Sequence, residues 1–167
     1  VEDSGVTTVA GNAFDECCTQ VCRNKTDAGG ACCSGDIVID PAITALADNA
    51  FKDCTGLTSV NMTHVTVVSS SSFDGCSGLT TVIMPLVTAV GNYAFQSCSS
   101  LITVDMPLLP SVGIAAFQSC SRLTTVNMPL VTSVGHEAFY DCSSLTTVIM
   151  PLVTAVGDYA FMSCSSL

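Results

Sequence analysis

Apolar and polar positions alternate along this chain in a pattern that returns every 22 residues. From Phe51 the step holds through Phe73, Phe95, Phe117, Phe139 and Phe161. The same step carries Cys54 to Cys164, Leu57 to Leu167, Val60 to Val148 and Met62 to Met150, with Gly91, Gly113, Gly135 and Gly157 as a further row. A fixed period in the twenties predicts stacked coils, each burying its apolar side chains against the same positions next door. The stretch from Leu79 to Leu101 returns almost unchanged from Leu145 to Leu167, with Asp158 for Asn92 and Met162 for Gln96.

Within one unit, alternation sends Val82 and Met84 inward and leaves Thr81 and Ile83 outward, which predicts a short strand. Pro85 ends it, because proline has no N–H for a ladder. Val87 and Val90 form the next inward pair. Gly91 supplies a bend, Ala94 and Phe95 plug the coil, and Cys98 closes it. The spacing Leu79-x-x-Val82-x-Met84 is that of a leucine-rich-repeat strand.

The run A-F-x-x-C-S-S-L-T-x-V-x-M-P followed by V-T-x-V-G resembles the BspA-like leucine-rich repeats, also called the Treponema pallidum-type class. The likeness covers residues 36–167 and, as an isolated half-unit, 6–17. It implies a right-handed leucine-rich-repeat solenoid of the α/β-type repeat class, built mostly of short parallel strands and turns. Roughly six coils at about 4.8 Å each make a rod near 30 Å long. Residues 1–35 form a degenerate first repeat, aligning 6–14 with 87–95, plus a Cys-rich insert or cap. Residues 36–167 form the array, and no polar cap follows Leu167, so a continuation is expected.

Composition narrows the function classes. Four Lys and Arg against fourteen Asp and Glu leave a formal charge of −10, which argues against nucleic acid and anionic membrane surfaces. No apolar run approaches the roughly 18 residues of a membrane span. Of the eleven cysteines, those on the lattice (Cys17, Cys54, Cys76, Cys98, Cys120, Cys142 and Cys164) read as small buried hydrophobes with no pairing partner of their own. The four off it, Cys18, Cys22, Cys32 and Cys33, read as two disulfides stapling the insert, with a zinc site as the alternative. The sequons at Asn24 and Asn61 point the same way, to an oxidising, secreted or cell-surface location.

Nothing in the chain assembles a catalytic motif. His64 and His136 stand at outward positions without a cluster of ligands, and no cofactor or metal is expected. What remains is surface. Ser59, Asn61, Thr81, Ile83, Thr103, Asp105, Thr125, Asn127, Thr147 and Ile149 form an outward strand face, a candidate for recognising a protein or glycan. The resemblance implies a non-catalytic surface binding or adhesion module. The alternative is a structural or accessory subunit of a larger assembly, tiled with other copies. The Thr66, Thr88, Thr132 and Thr154 ladder suggests ice binding, but Pro110 breaks it and adjacent T-x-T rungs are missing.

Overall fold

The computed structural model describes residues 8–9 and 34–167. The Phe14 and Cys17 rungs, the Cys-rich insert with Cys18, Cys22, Cys32 and Cys33, and Asn24 lie outside the described residues. The described residues form thirteen strands, β1–β13 in chain order, on two faces of a coiled stack. The longer face holds β2 (Ser34–Val38), β4 (Gly56–Asn61), β6 (Thr81–Ile83), β8 (Thr103–Asp105), β10 (Thr125–Asn127) and β12 (Thr147–Ile149). The second holds two-residue strands: β1 (Thr8–Val9), β3 (Ala45–Leu46), β5 (Val67–Val68), β7 (Ala89–Val90), β9 (Ser111–Val112), β11 (Ser133–Val134) and β13 (Ala155–Val156). All pairings are parallel, and no helix occurs among the described residues; turns fill the third side.

Register follows the lattice. Val126 stands beside Val104 and Val148, and Val68 beside Leu46 and Val90. The first step departs from it. Gly35 pairs Leu57 but Asp36 pairs Ser59, so β4 carries one extra residue, a β-bulge.

The core is a set of columns. Phe51 to Phe161 stack face to face, with centroids 5.1–5.3 Å apart and planes within 8°. The five from Phe51 to Phe139 are wholly buried. Both spacing and tilt are set by the coil pitch, since each ring from Phe51 to Phe139 is carried by the same backbone bond, Phe73 N–H to the Ala94 carbonyl and its repeats.

The cysteine column is more than filler. The Cys98 thiol donates to the Phe73 carbonyl at 3.1 Å, while that carbonyl already accepts the Cys76 N–H. Cys76, Cys120, Cys142 and Cys164 repeat the contact at 3.0–3.2 Å. A carbonyl has two lone pairs, and here the thiol takes the second one. These five cysteines are free, but Cys54 is disulfide-bonded. That corrects the expectation that every lattice cysteine lacks a partner. A disulfide sulfur carries no hydrogen, so Cys54 does not donate the thiol bond that the rungs above it make.

Burial pushes the Cys98 and Cys120 thiols far above their ordinary value, and Cys76 and Cys142 to about 12. Thiols whose folded value is raised stay protonated while the unfolded chain ionises, so stability falls as pH climbs past 9.0 toward about 12. An alkylating reagent in native buffer is expected to label Cys164, which is half-buried, before the other four, which react only in denaturant. Mass spectrometry of the labelled peptides checks this. Equal rates for Cys120 and Cys164 would place the column outside the core.

Each coil also holds two residues at positive φ, nearly all of them not glycine: Asn49, Ser71, Tyr93, Ala115, Glu137 and Tyr159 in one column, and Asp53, Gly75, Ser97, Ser119, Asp141 and Ser163 in another. This conformation costs an L-residue roughly 1–2 kcal/mol. Since it recurs in every coil, it belongs to the turn geometry and marks no site.

Candidate functional site

The outward rows of the longer face sit where alternation sends them. Thr81, Thr103, Asp105 and Thr147 are exposed, as are Ile83 and Ile149 at 47% and 45%. Ser59, Asn61, Thr125 and Asn127 are half-buried. Register places Ser59 beside Thr81 and Asn61 beside Ile83, then Thr103, Thr125 and Thr147 in one row and Asp105, Asn127 and Ile149 in the next; the 22-residue step carries each row on from the first pair to the second set. The first row is constant and hydroxylated; the second varies from coil to coil.

Local contacts tie parts of this face down. Asn127 donates its amide to Asp105 Oδ1 at 2.8 Å. Ser59 and Thr58 both donate hydroxyls to Asp36 Oδ1 at 2.7 Å, which holds that carboxyl below its usual value. Asn61 ends β4 with its side-chain carbonyl buried and without a partner among the described residues.

The Thr66, Thr88, Thr132 and Thr154 ladder is committed to the fold. Each hydroxyl donates to a backbone carbonyl one coil below, at 3.1–3.3 Å. That leaves the ladder as internal bracing, and gives no support to ice binding.

One surface feature escaped the sequence reading. Leu86, Leu108, Leu130 and Leu152 are 45%, 41%, 46% and 50% exposed and follow one another at the repeat step. Each follows the strand-ending proline, at the corner between the two faces. The recurring Pro-Leu pair was the signal, hidden because a repeated leucine in such an array reads as core. The row begins at Leu86, since His64 holds its place one coil earlier.

Among the described residues the titratable groups sit in separate local contacts. His136 lies 3.3 Å from the Glu137 carboxylate and packs edge-to-face with Tyr159, ring centroids 5.7 Å apart. Glu137 also accepts from Gln118, which accepts from Gln96. His64 contacts Thr63 at 3.1 Å. Among the described residues no His, Cys, Asp and Glu gather in a group able to hold a metal ion, and no helix is long and apolar enough to cross a membrane. At the last coil Val134, Val148, Met150, Val153, Val156, Phe161 and Leu167 line an apolar hollow of ≈ 270 Å³.

Comparison with known proteins agrees with the columns. Residues 32–167 match the BspA type leucine rich repeat region in six copies. Among solved structures, a leucine rich cell surface protein from Faecalibacterium prausnitzii A2-165 is similar at 31% identity and a TM-score of 0.66, over 79% of this chain and 37% of that one. A leucine-rich repeat protein from Eubacterium ventriosum ATCC 27560 is similar at 24% and 0.68, over the same shares. The leucine rich repeat protein of T. pallidum shares the fold at 19% and 0.64, over 88% and 82%. The chain thus spans well under half the length of the first two. No curated protein matches it. With its 22-residue coils, phenylalanine column and closing cysteine, the chain belongs to the BspA-type leucine-rich repeat family.

Proposed function

We propose that this chain is a non-catalytic binding and adhesion module of a secreted or cell-surface protein, reading a protein or glycan partner with its longer strand face. The carrying observation is the pairing of an invariant core with a hydroxyl row and a neighbouring row that varies: Ile83 and Ile149 match, but Asp105 and Asn127 between them differ, while Val104 and Val126 beside those two do not. A partner-reading surface needs that division. The similarity to a leucine rich cell surface protein supports the location. The face carries no aromatic or arginine anchor, so affinity comes from hydrogen bonding and repeated contacts along the rod.

Cysteine count supports an oxidising compartment. With Cys76, Cys98, Cys120, Cys142 and Cys164 free, the rest (Cys17, Cys18, Cys22, Cys32, Cys33 and Cys54) are even in number. We read them as a disulfide set at the N-terminal end, with glycans on Asn24 and Asn61. Intact mass before and after reduction and deglycosylation tests this; six free thiols there would remove the argument.

The leucine stripe favours a second reading, a subunit that tiles side by side with copies, because its exposed residue repeats unchanged. One experiment separates the two. Binding to immobilised glycans and extracellular proteins is measured alongside sedimentation for Thr103→Arg/Asp105→Arg and for Leu108→Ser/Leu130→Ser. The recognition reading expects the first pair to lose binding at least about tenfold by placing mismatched charge in the interface. Loss of self-association in the second pair alone supports tiling. Wild-type behaviour of both variants sinks both.

A further inference from the structure

Two hydroxyl clamps brace most junctions between coils. On the longer face Thr80, Thr124 and Thr146 donate to the carbonyls of Thr58, Ile102 and Thr124 at 2.9–3.1 Å. On the shorter face Thr88, Thr132 and Thr154 donate to Thr66, Pro110 and Thr132. In the coil that begins at Leu101 both clamp positions are lost together, to Ile102 and Pro110. Isoleucine has no hydroxyl, and proline has neither hydroxyl nor N–H.

Backbone bonding thins at the same junction: Ile102 still donates its N–H to the Thr80 carbonyl, but at 3.3 Å where Thr80 and Thr124 donate at 2.9 and 2.8 Å, and two further bonds are missing. Met62, Met106 and Met128 donate their N–H groups to Ile83, Asn127 and Ile149 at 2.9–3.0 Å. Gly91, Gly135 and Gly157 donate to Val68, Val112 and Val134 at 2.8–2.9 Å. Among the described residues Met84 and Gly113 make no such bond to Asp105 and Val90. Both sheets divide here: β6 is unpaired with β8, and β7 with β9. Val82 is only partly buried, while Val60, Val104 and Val126 in its column are sealed at 1% or less.

The turn side is intact across that junction. Tyr93, Phe95 and Ser97 donate to Ile114, Ala116 and Gln118 at 2.8–2.9 Å. The Phe95 and Phe117 rings stack at 5.3 Å with planes 2° apart. Asn92 Oδ1 holds the Ile114 N–H at 2.9 Å.

We propose that this junction is a hinge built into the rod, closed along the phenylalanine wall and able to open along both strand faces, with Ile102 and Pro110 as the residues that release it. Opening tilts the half carrying β2, β4 and β6 against the half carrying β8, β10 and β12. It also bares Val82 between Ile83 and Ile102, placing an aliphatic strip on a face otherwise dominated by Thr, Asn and Asp.

Residue-resolved hydrogen exchange by NMR on the whole chain tests this. Protection factors at Met84 and Gly113 are expected to be at least about tenfold below those at Met106 and Gly135, as local opening without backbone bonds requires. Phe95 and Ser97 stay protected. In Ile102→Thr/Pro110→Thr, which restores both clamps and the missing N–H, Met84 and Gly113 rise to the protection of their counterparts. Equal protection in the wild type overturns the hinge. So does fast exchange at Phe95 and Ser97, which would mean separation of the halves. Fast exchange that the double variant leaves unchanged overturns it too, because those two residues would then not control the junction.

Discussion

Phe117→Ala is expected to cost about 3–5 kcal/mol, the range for deleting a fully buried aromatic ring. Phe117 is wholly buried and stacks on two rings, Phe95 below and Phe139 above, at 5.3 Å each. Truncation removes both contacts and leaves a void whose walls are tied by the Phe95–Ala116 and Phe117–Ala138 backbone bonds. Those walls cannot collapse without breaking the pitch. The loss also falls on a junction. Each coil touches only its neighbours, so a damaged middle rung weakens the coupling of the two ends, and the urea transition should broaden or divide. Leu108→Ala is the matched control: that leucine is 41% exposed and its removal should change stability by no more than about 0.5 kcal/mol. A Phe117→Ala loss below about 1 kcal/mol, or a Leu108→Ala loss as large as it, would put the core elsewhere.

Gly135→Ala should cost about 3 kcal/mol, the upper end of ordinary overpacking. A Cβ at Gly135 would stand 2.7 Å from the Gly113 carbonyl carbon and oxygen and 2.9 Å from the Ile114 nitrogen. Every one of these is backbone, so no side chain can swing aside. Gly91, Gly113 and Gly157 are equally confined, and none of this row has positive φ. The sequence suggests a bend at Gly91 and a packing role for its row; the structure shows the row letting one coil's backbone lie against the next. Ala47 and Ser69 occupy the row in the first two coils, so the prohibition starts at Gly91. Equilibrium urea unfolding of Gly135→Ala decides the matter, and a variant as stable as the wild type would show that the junction has slack.

Much of this was legible because a 22-residue period is redundant. Any single phenylalanine could be a surface residue, but six at equal steps share one environment. The strand alternation around Val82 and Met84 followed from the same redundancy. What stayed hidden depends on contacts between coils that no periodicity states. The thiol-to-carbonyl bond of Cys98 needs the coil pitch and the direction of the Phe73 carbonyl, so the column read as filler. The positive φ of Tyr93 and Glu137 was invisible because neither residue type announces it. The bulge at Asp36 and Ser59 inserts one residue where the period had not yet settled. Leu86 and its repeats drew no reading, because the residue type does not announce an exposed corner. Ile102 and Pro110 were each visible as substitutions, but only the structure puts them on opposite faces of one junction.

Because the coils are so alike, the upper side of one fits the lower side of several others almost equally well. The coil from Leu79 and the coil from Leu145 differ at only two positions before Leu167, Asn92 and Gln96 against Asp158 and Met162. Such a stack encodes its neighbour relations weakly. During refolding at high concentration a coil can nest against the wrong rung or against another molecule, so exchanged dimers and looped-out repeats are the characteristic errors of this chain. The irregular coils, those bearing Ser72 in the alanine column and Pro110 in the threonine column, then serve as registration marks that make one alignment distinguishable from the rest.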